Sequence, residues 1–219
     1  MNPTINMPTA ALAVISVAGI ALSAGCGTRE SPRKAPVTVI AIDRSGSSAT
    51  PEQRRALLDN VDLLANYARS EKALVDVWAF DHDAVRISGP ALVKSNLLAV
   101  KAAIVDPTHR APKGTRPGVL VEQLASDRAL GEAVERSAGP LRVVILTDGG
   151  IDDPADKVRL AKACKQLSTR FPGLSLRIAG IVPELRPDWD SAARTVADYR
   201  CATLLDSSAL VRETFGDRR

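Results

Sequence analysis

The chain has 219 residues, 45% of them hydrophobic and 25% charged. That is the length and composition of one globular domain able to bury a full core, and it excludes a disordered or fibrous chain. Aromatics make up only 3%, so the core has to be built from Val, Leu, Ile and Ala. The net charge is +4, from 29 basic and 25 acidic residues, and no Lys/Arg block interleaves with aromatics. Nucleic-acid binding is therefore unsupported, and the closing "GDRR" reads as a solvated end.

Residues 1–25 carry no charge, and Ala10 to Leu22 is apolar but for one serine. This run is short for a membrane span and suits the core of a signal peptide. It ends in "LSAGC", which looks like the lipobox at which bacterial lipoproteins are cleaved and acylated on cysteine. The resemblance implies a lipidated Cys26 and a mature protein held at the cell envelope, outside the cytoplasm. An uncleaved anchor helix would export the domain equally. Residues 26–36 then form a polar, proline-containing tether. With Cys26 acylated, Cys164 and Cys201 are left as an even pair in an oxidising compartment, so a disulfide between them is open. Cys164 equally suits the apolar face of a helix as a buried free thiol.

From residue 37 onward strand and helix patterns alternate. "VTVIAID" (37–43) is a nearly unbroken apolar run, as in a strand covered on both faces. Thr50, Pro51 and Gln53 give a capping box, and Leu57, Val61, Leu64 and Ala68 mark one face of the following helix. "ALVDVWAF" (73–80) and "AVRIS" (84–88) alternate around "DHD" and predict a hairpin at a sheet edge. "ALVKSNLLAVKAAI" predicts a helix. After the loop 105–118 another starts near Pro117, carries Leu120 and Leu124, and is open to interruption at Gly131. "LRVVILTD" (141–148) is a second fully buried strand. Asp153 then caps a helix opened by Pro154 and lined by Leu160, Ala163, Cys164 and Leu167. "LSLRIAGIV" reads as a strand, "PDWDSAARTVADY" as a helix, "ATLLD" as a strand and "SSALVRETF" as a last helix.

This order predicts a three-layer, Rossmann-like α/β domain: a mostly parallel sheet, helices on both faces and one antiparallel edge strand. Ligands of such sheets bind beyond the carboxyl ends of the strands, where strand order reverses. Asp43 and Asp148 sit at the ends of the two most apolar strands, which makes these strands the expected central neighbours. Asp43 opens the pattern D-x-S-x-S with Ser45 and Ser47. Thr115 lies in "KGTRPG", before a helix, and Asp148 in "LTDGG".

Taken jointly, these three segments resemble the von Willebrand factor type A domain and its metal-ion-dependent adhesion site, over residues 37–217. The resemblance implies a bound Mg²⁺ or Mn²⁺. The positions of Ser45, Ser47 and Thr115 ligate directly in that family, and those of Asp43 and Asp148 hold ligating waters. Hydroxyl oxygens suit a hard, octahedral cation that keeps some of its waters. Because they are neutral, they leave its charge poorly compensated, so a carboxylate of a partner protein can complete the shell. The resemblance thus implies a membrane-tethered, non-enzymatic protein-binding domain, with Arg44, Arg110 and Arg116 expected to shape a basic rim and Asp152 to tune it.

A metal-dependent phosphatase on the same site is the competing reading. Haloacid-dehalogenase-like phosphatases require a second acid where this chain has Ser45, and neither a P-loop nor a G-x-S-x-G elbow is present. His82, in the hairpin turn, and His109 read as exposed polar residues rather than bases. A scaffold subunit of an envelope assembly, with a vestigial site, is the third.

Overall fold

A computed structural model describes residues 34–45, 51–92, 114–202, 210–212 and 214. The strands are β1 (Ala35–Asp43), β2 (Leu74–Phe80), β3 (Ala84–Leu92), β4 (Ala138–Leu146), β5 (Ser175–Ala179) and β6 (Asp198–Ala202). The helices are α1 (Pro51–Ser70), α2 (Pro117–Ser126), α3 (Arg128–Ser137), α4 (Pro154–Arg170) and α5 (Arg186–Ala192). The strands form a sheet in the order β3-β2-β1-β4-β5-β6. All neighbours run parallel except β2 and β3, the expected edge hairpin.

The unbroken apolar runs have a simple cause. In β1, Val37, Val39 and Ala41 face one core, while Ile40 and Ile42 face the other. In β4, Val143 and Ile145 share the first core, and Val144 and Leu146 the second. Successive side chains of a strand point to opposite faces, so covering both faces makes every position apolar. The first core is closed by α2, α3, α4 and α5, through Leu120, Leu124, Leu130, Leu160, Leu167 and Trp189. The second is closed by Leu57, Val61, Leu64 and Ala68 of α1, with Leu210 and Val211.

Several boundaries differ from expectation, each for a local reason. Ala91 and Leu92 are not the start of a helix, because β3 pairs along β2 as far as Leu92; the rest of that helix, 93–104, lies outside the described residues, as does Thr50. The interruption expected at Gly131 falls at Asp127. Asp127 takes an extended conformation, and its side chain accepts the Leu130 N–H at 2.6 Å, which ends α2 and caps α3. Gly131 lies inside α3, where an added Cβ would meet the Arg170 guanidinium at 2.1 Å. β4 stops at Leu146, so Asp148 stands on a loop rather than on the strand. At the other end, the helix expected over 187–199 closes at Ala192; of the strand expected over 202–206, residues 203–206 lie outside the described residues, and β6 forms over Asp198–Ala202. There Tyr199 and Cys201 pair with Leu176 and Ile178 of β5. An edge strand needs only one well-covered face, so its alternating polar residues hid it.

Cys164 is buried on α4 and Cys201 partly buried on β6, and both are free thiols. The disulfide left open by the sequence does not form. Burial pushes the Cys164 thiol up to about 12, so it stays protonated and packs as a small apolar group. Among the described residues, no helix is long and apolar enough to cross a membrane.

Asp127 also binds Arg86, which reaches from β3 at 2.6 Å, forks onto the buried Asp76 at 3.0 Å and lies over the Trp78 ring at 4.6 Å. Asp127→Ala removes the α3 cap and one acid of this network, and it will cost about 1–2 kcal/mol of stability. Urea unfolding monitored by circular dichroism measures the loss.

Candidate metal centre

Sheet order reverses between β1 and β4, since β2 and β3 lie on one side of the pair and β5 and β6 on the other. A crevice is expected beyond the carboxyl ends at this switch point. Asp43, the last residue of β1, reaches it with 1% exposure. Asp43 Oδ1 accepts the Ser45 N–H at 2.8 Å, and Oδ2 accepts the Thr147 hydroxyl at 2.6 Å. Thr147 Oγ1 in turn accepts the Gly149 N–H at 3.0 Å. The end of β1 is thus tied directly to the loop that follows β4.

That loop carries Asp148, whose Oδ1 accepts the Gly150 N–H at 3.1 Å. Its backbone is held from below. The Val182 N–H donates to the Asp148 carbonyl at 2.9 Å, and the fully buried Trp189 indole N–H donates to the Gly149 carbonyl at 3.1 Å. Gly149 has φ +97°, and a Cβ there would stand 2.9 Å from Ile181 Cγ2. Glycine is therefore required at the second position of "DGG" on both conformational and packing grounds.

Thr115 arrives from the third segment, 3% exposed, with its N–H donating to Asp152 Oδ2 at 3.1 Å. The point at which a Cβ on Gly150 would stand lies 3.6 Å from Asp148 Oδ1 and 3.9 Å from Thr115 Oγ1. Asp148 and Thr115 therefore flank the same small volume. Of the five expected site residues, Asp43, Ser45, Thr115 and Asp148 come to the carboxyl end of the two central strands. Ser47 lies outside the described residues, as do Cys26, His109 and Arg110. Thr147, Trp189 and the full role of Asp152 were missed. A hydroxyl directly before the acid of "LTDGG" was the available signal for the first; nothing local marks the others.

Burial is the main influence on Asp43 and raises its carboxyl to about 6, against hydrogen bonds from Thr147 and Ser45 that lower it and the nearby Asp148 charge that raises it further. The two described arginines expected to form a basic rim are engaged by acids of the same face. Arg44 lies 3.7 Å from Asp81, and Arg116 lies 3.5 Å from Asp153. His82 is exposed in the turn between β2 and β3. Among the described residues, no three of His, Cys, Asp or Glu cluster at metal-binding spacing. A cation here would depend on hydroxyl oxygens, and buried serine and threonine oxygens beside a desolvated carboxylate fit a hard divalent ion.

The domain is thus an open, doubly wound α/β domain whose hydroxyls and acids gather at its switch point. No protein-family model matches the sequence. No curated protein matches it either. Solved structures do match. The SpRpn10 VWA domain aligns with a TM-score of 0.60 at 16% identity, over 84% of this chain and 98% of that one. Proximal thread matrix protein 1 of the mussel byssus, with a zinc-occupied metal-ion-dependent adhesion site, aligns at 0.56 and 16% identity, over 81% of this chain and 44% of that one. The pilus adhesin SpaC of Lactobacillus rhamnosus GG aligns at 0.56 and 15% identity, over 82% of this chain and 29% of that one. The domain has the von Willebrand factor type A fold. The chain spans less than half the length of the mussel protein and of the adhesin.

The raised Asp43 pKa fixes a sign. Its protonated form is favoured by folding, so its contribution to the stability of metal-free protein is greatest below pH 3.8 and is lost as pH rises to about 6. Urea unfolding in chelator will show this decline across that window, and Asp43→Asn will flatten it.

Proposed function

We propose that this chain is an exported lipoprotein that binds a partner protein through a divalent cation. Residues 1–25 act as the signal peptide, Cys26 carries the lipid, 26–36 form the tether, and 37–217 form the binding domain. Ser45, Ser47 and Thr115 hold Mg²⁺ or Mn²⁺ directly, and Asp43 and Asp148 hold its waters. When bound, the cation supplies an electrophilic position that an Asp or Glu carboxylate of the partner can fill. The protein's own contribution is to keep the oxygens buried, oriented and short of compensating charge.

The observation that carries this reading is the meeting of Asp43, Thr115 and Asp148, from three separate segments, at the end of β1 and β4. A structural loop cluster would not require a desolvated carboxylate and a buried threonine hydroxyl to share that place. The fold is one on which a metal-ion-dependent site has been occupied by zinc in the mussel matrix protein, and one that a pilus adhesin uses. Both support a cation and a protein ligand here.

Calorimetry with Mg²⁺ and Mn²⁺ will detect binding to the native chain, and Thr115→Ala or Asp148→Ala will weaken it by roughly tenfold or more. A pull-down from solubilised membranes will lose its partner both in chelator and in Thr115→Ala, with circular dichroism unchanged. Partner capture that ignores both treatments would instead point to a scaffold, and phosphate-ester turnover abolished by Asp43→Ala would point to a hydrolase. For the anchor, metabolic labelling with a tagged fatty acid will mark the native chain and will not mark Cys26→Ser.

A further inference from the structure

We propose that Asp152, Asp153 and Asp156 form a clamp that positions Thr115, with Asp156 as its anchor; the inference rests on the reading of Thr115 as a cation ligand. The three acids of "DDPAD" meet three positions of a four-residue stretch on another segment. Asp152 Oδ2 accepts the Thr115 N–H at 3.1 Å, Asp153 Oδ2 lies 3.5 Å from Arg116 Nη2, and Asp156 Oδ2 accepts the Gly118 N–H at 2.8 Å.

Asp156 is the anchor because its placement is otherwise hard to account for. It is 1% exposed on the inner face of α4, and its carboxyl is raised, chiefly by burial. Its Oδ1 accepts no hydrogen bond among the described residues and makes only a long ion pair with the half-exposed Arg159 guanidinium, at 3.8 Å. An apolar residue would pack α4 against α2 without that desolvation. What an apolar residue would lack is an acceptor for the first turn of α2. That turn begins with Pro117, and Arg116 at its N-cap makes no side-chain capping bond. The carboxylate of another helix therefore satisfies the Gly118 N–H, at the positive end of the α2 dipole.

Gly118 is the matching half of the device. A Cβ there would stand 2.7 Å from Asp156 Oδ1 and 2.8 Å from the Asp156 carbonyl oxygen, so only glycine lets α2 settle this closely on α4. Thr115 is then fixed through its own N–H and through the first turn of α2. Because α4 follows directly on the Asp148 loop, the clamp makes the threonine-bearing and the acid-bearing segments move as one body. Groups that orient the ligands of a metal commonly influence its affinity by 10–100-fold on substitution.

The test compares Asp156→Ala and Asp156→Asn in the full chain. Mn²⁺ binding is read by electron paramagnetic resonance, and amide exchange of the segment 114–120 by mass spectrometry in chelator. Asparagine keeps an acceptor for the Gly118 N–H, and alanine removes it. The clamp requires Asp156→Ala to weaken Mn²⁺ binding about tenfold or more and to speed exchange in that segment while β1 and β4 stay protected. Asp156→Asn must return both readings toward native values. Native-like affinity and exchange in Asp156→Ala overturn the proposal, as do equal losses in the two variants. Should Asp156→Ala fail to fold, Gly118→Ala, which leaves the carboxylate but lifts α2 away, must show the same two effects, and native behaviour there overturns the clamp. A native chain that takes up no Mn²⁺ overturns the metal reading and the ligand role of Thr115 with it; the exchange data then still decide whether the acids hold the segment.

Discussion

A carboxylate buried at the meeting of two strand tips sets the terms for the whole upper face of this domain. Removing Asp43 from water disfavours its charged form, which is why its carboxyl is raised to about 6 despite the hydrogen bonds it accepts. Those bonds include one from the Ser45 amide, two residues on, and one from the Thr147 hydroxyl, far away in sequence. The arrangement is stable only because the strands beneath it are rigid. β1 and β4 are paired in register over most of their length and covered by apolar layers on both faces. A site on such a base can hold polar groups in an environment that would otherwise disperse them into solvent.

The same logic extends outward through the loops. Each is fastened by a buried or partly buried polar contact. Trp189 holds the Gly149 carbonyl, Val182 holds that of Asp148, and Asp152 and Asp156 hold the amides of Thr115 and Gly118. Hydrogen bonds of this kind are directional, so they fix the orientation of oxygen donors more sharply than packing does. The second tryptophan of the chain, Trp78, does different work on the sheet edge, under the Arg86 guanidinium.

Charge around the crevice follows a pattern that composition does not reveal. The chain is net basic, yet Arg44 and Arg116 face Asp81 and Asp153 across short distances. In the proposed function, a partner's carboxylate is therefore drawn mainly by the cation and less by the arginine side chains beside it. Recognition of that kind depends on the metal's coordination geometry, whereas a basic rim would act through a long-range field screened by salt.

Much of the architecture was legible in the sequence because it rests on period and run length. The unbroken apolar stretches of β1 and β4, the helical spacing in α1 and α4, the helix start at Pro51 and the cap at Asp153 are local properties, and the chain obeys them. Asp43, Ser45, Thr115 and Asp148 were visible as residue types at strand ends and before a helix. Where the edge of the sheet decides, local reading failed: β6 is a strand because β5 offers it a free edge, and β3 runs on to Leu92 because β2 pairs with it. Contacts between distant segments were likewise beyond reach. No sequence pattern tells that Thr147 bonds Asp43, that Asp127 rather than Gly131 divides α2 from α3, or that Asp156 caps a helix other than its own. The sequence by itself determined the elements and the chemistry of the groups at their ends, since both follow from neighbouring residues; the tertiary structure decided which of those groups meet, since that depends on strand order and on the desolvation that only packing imposes.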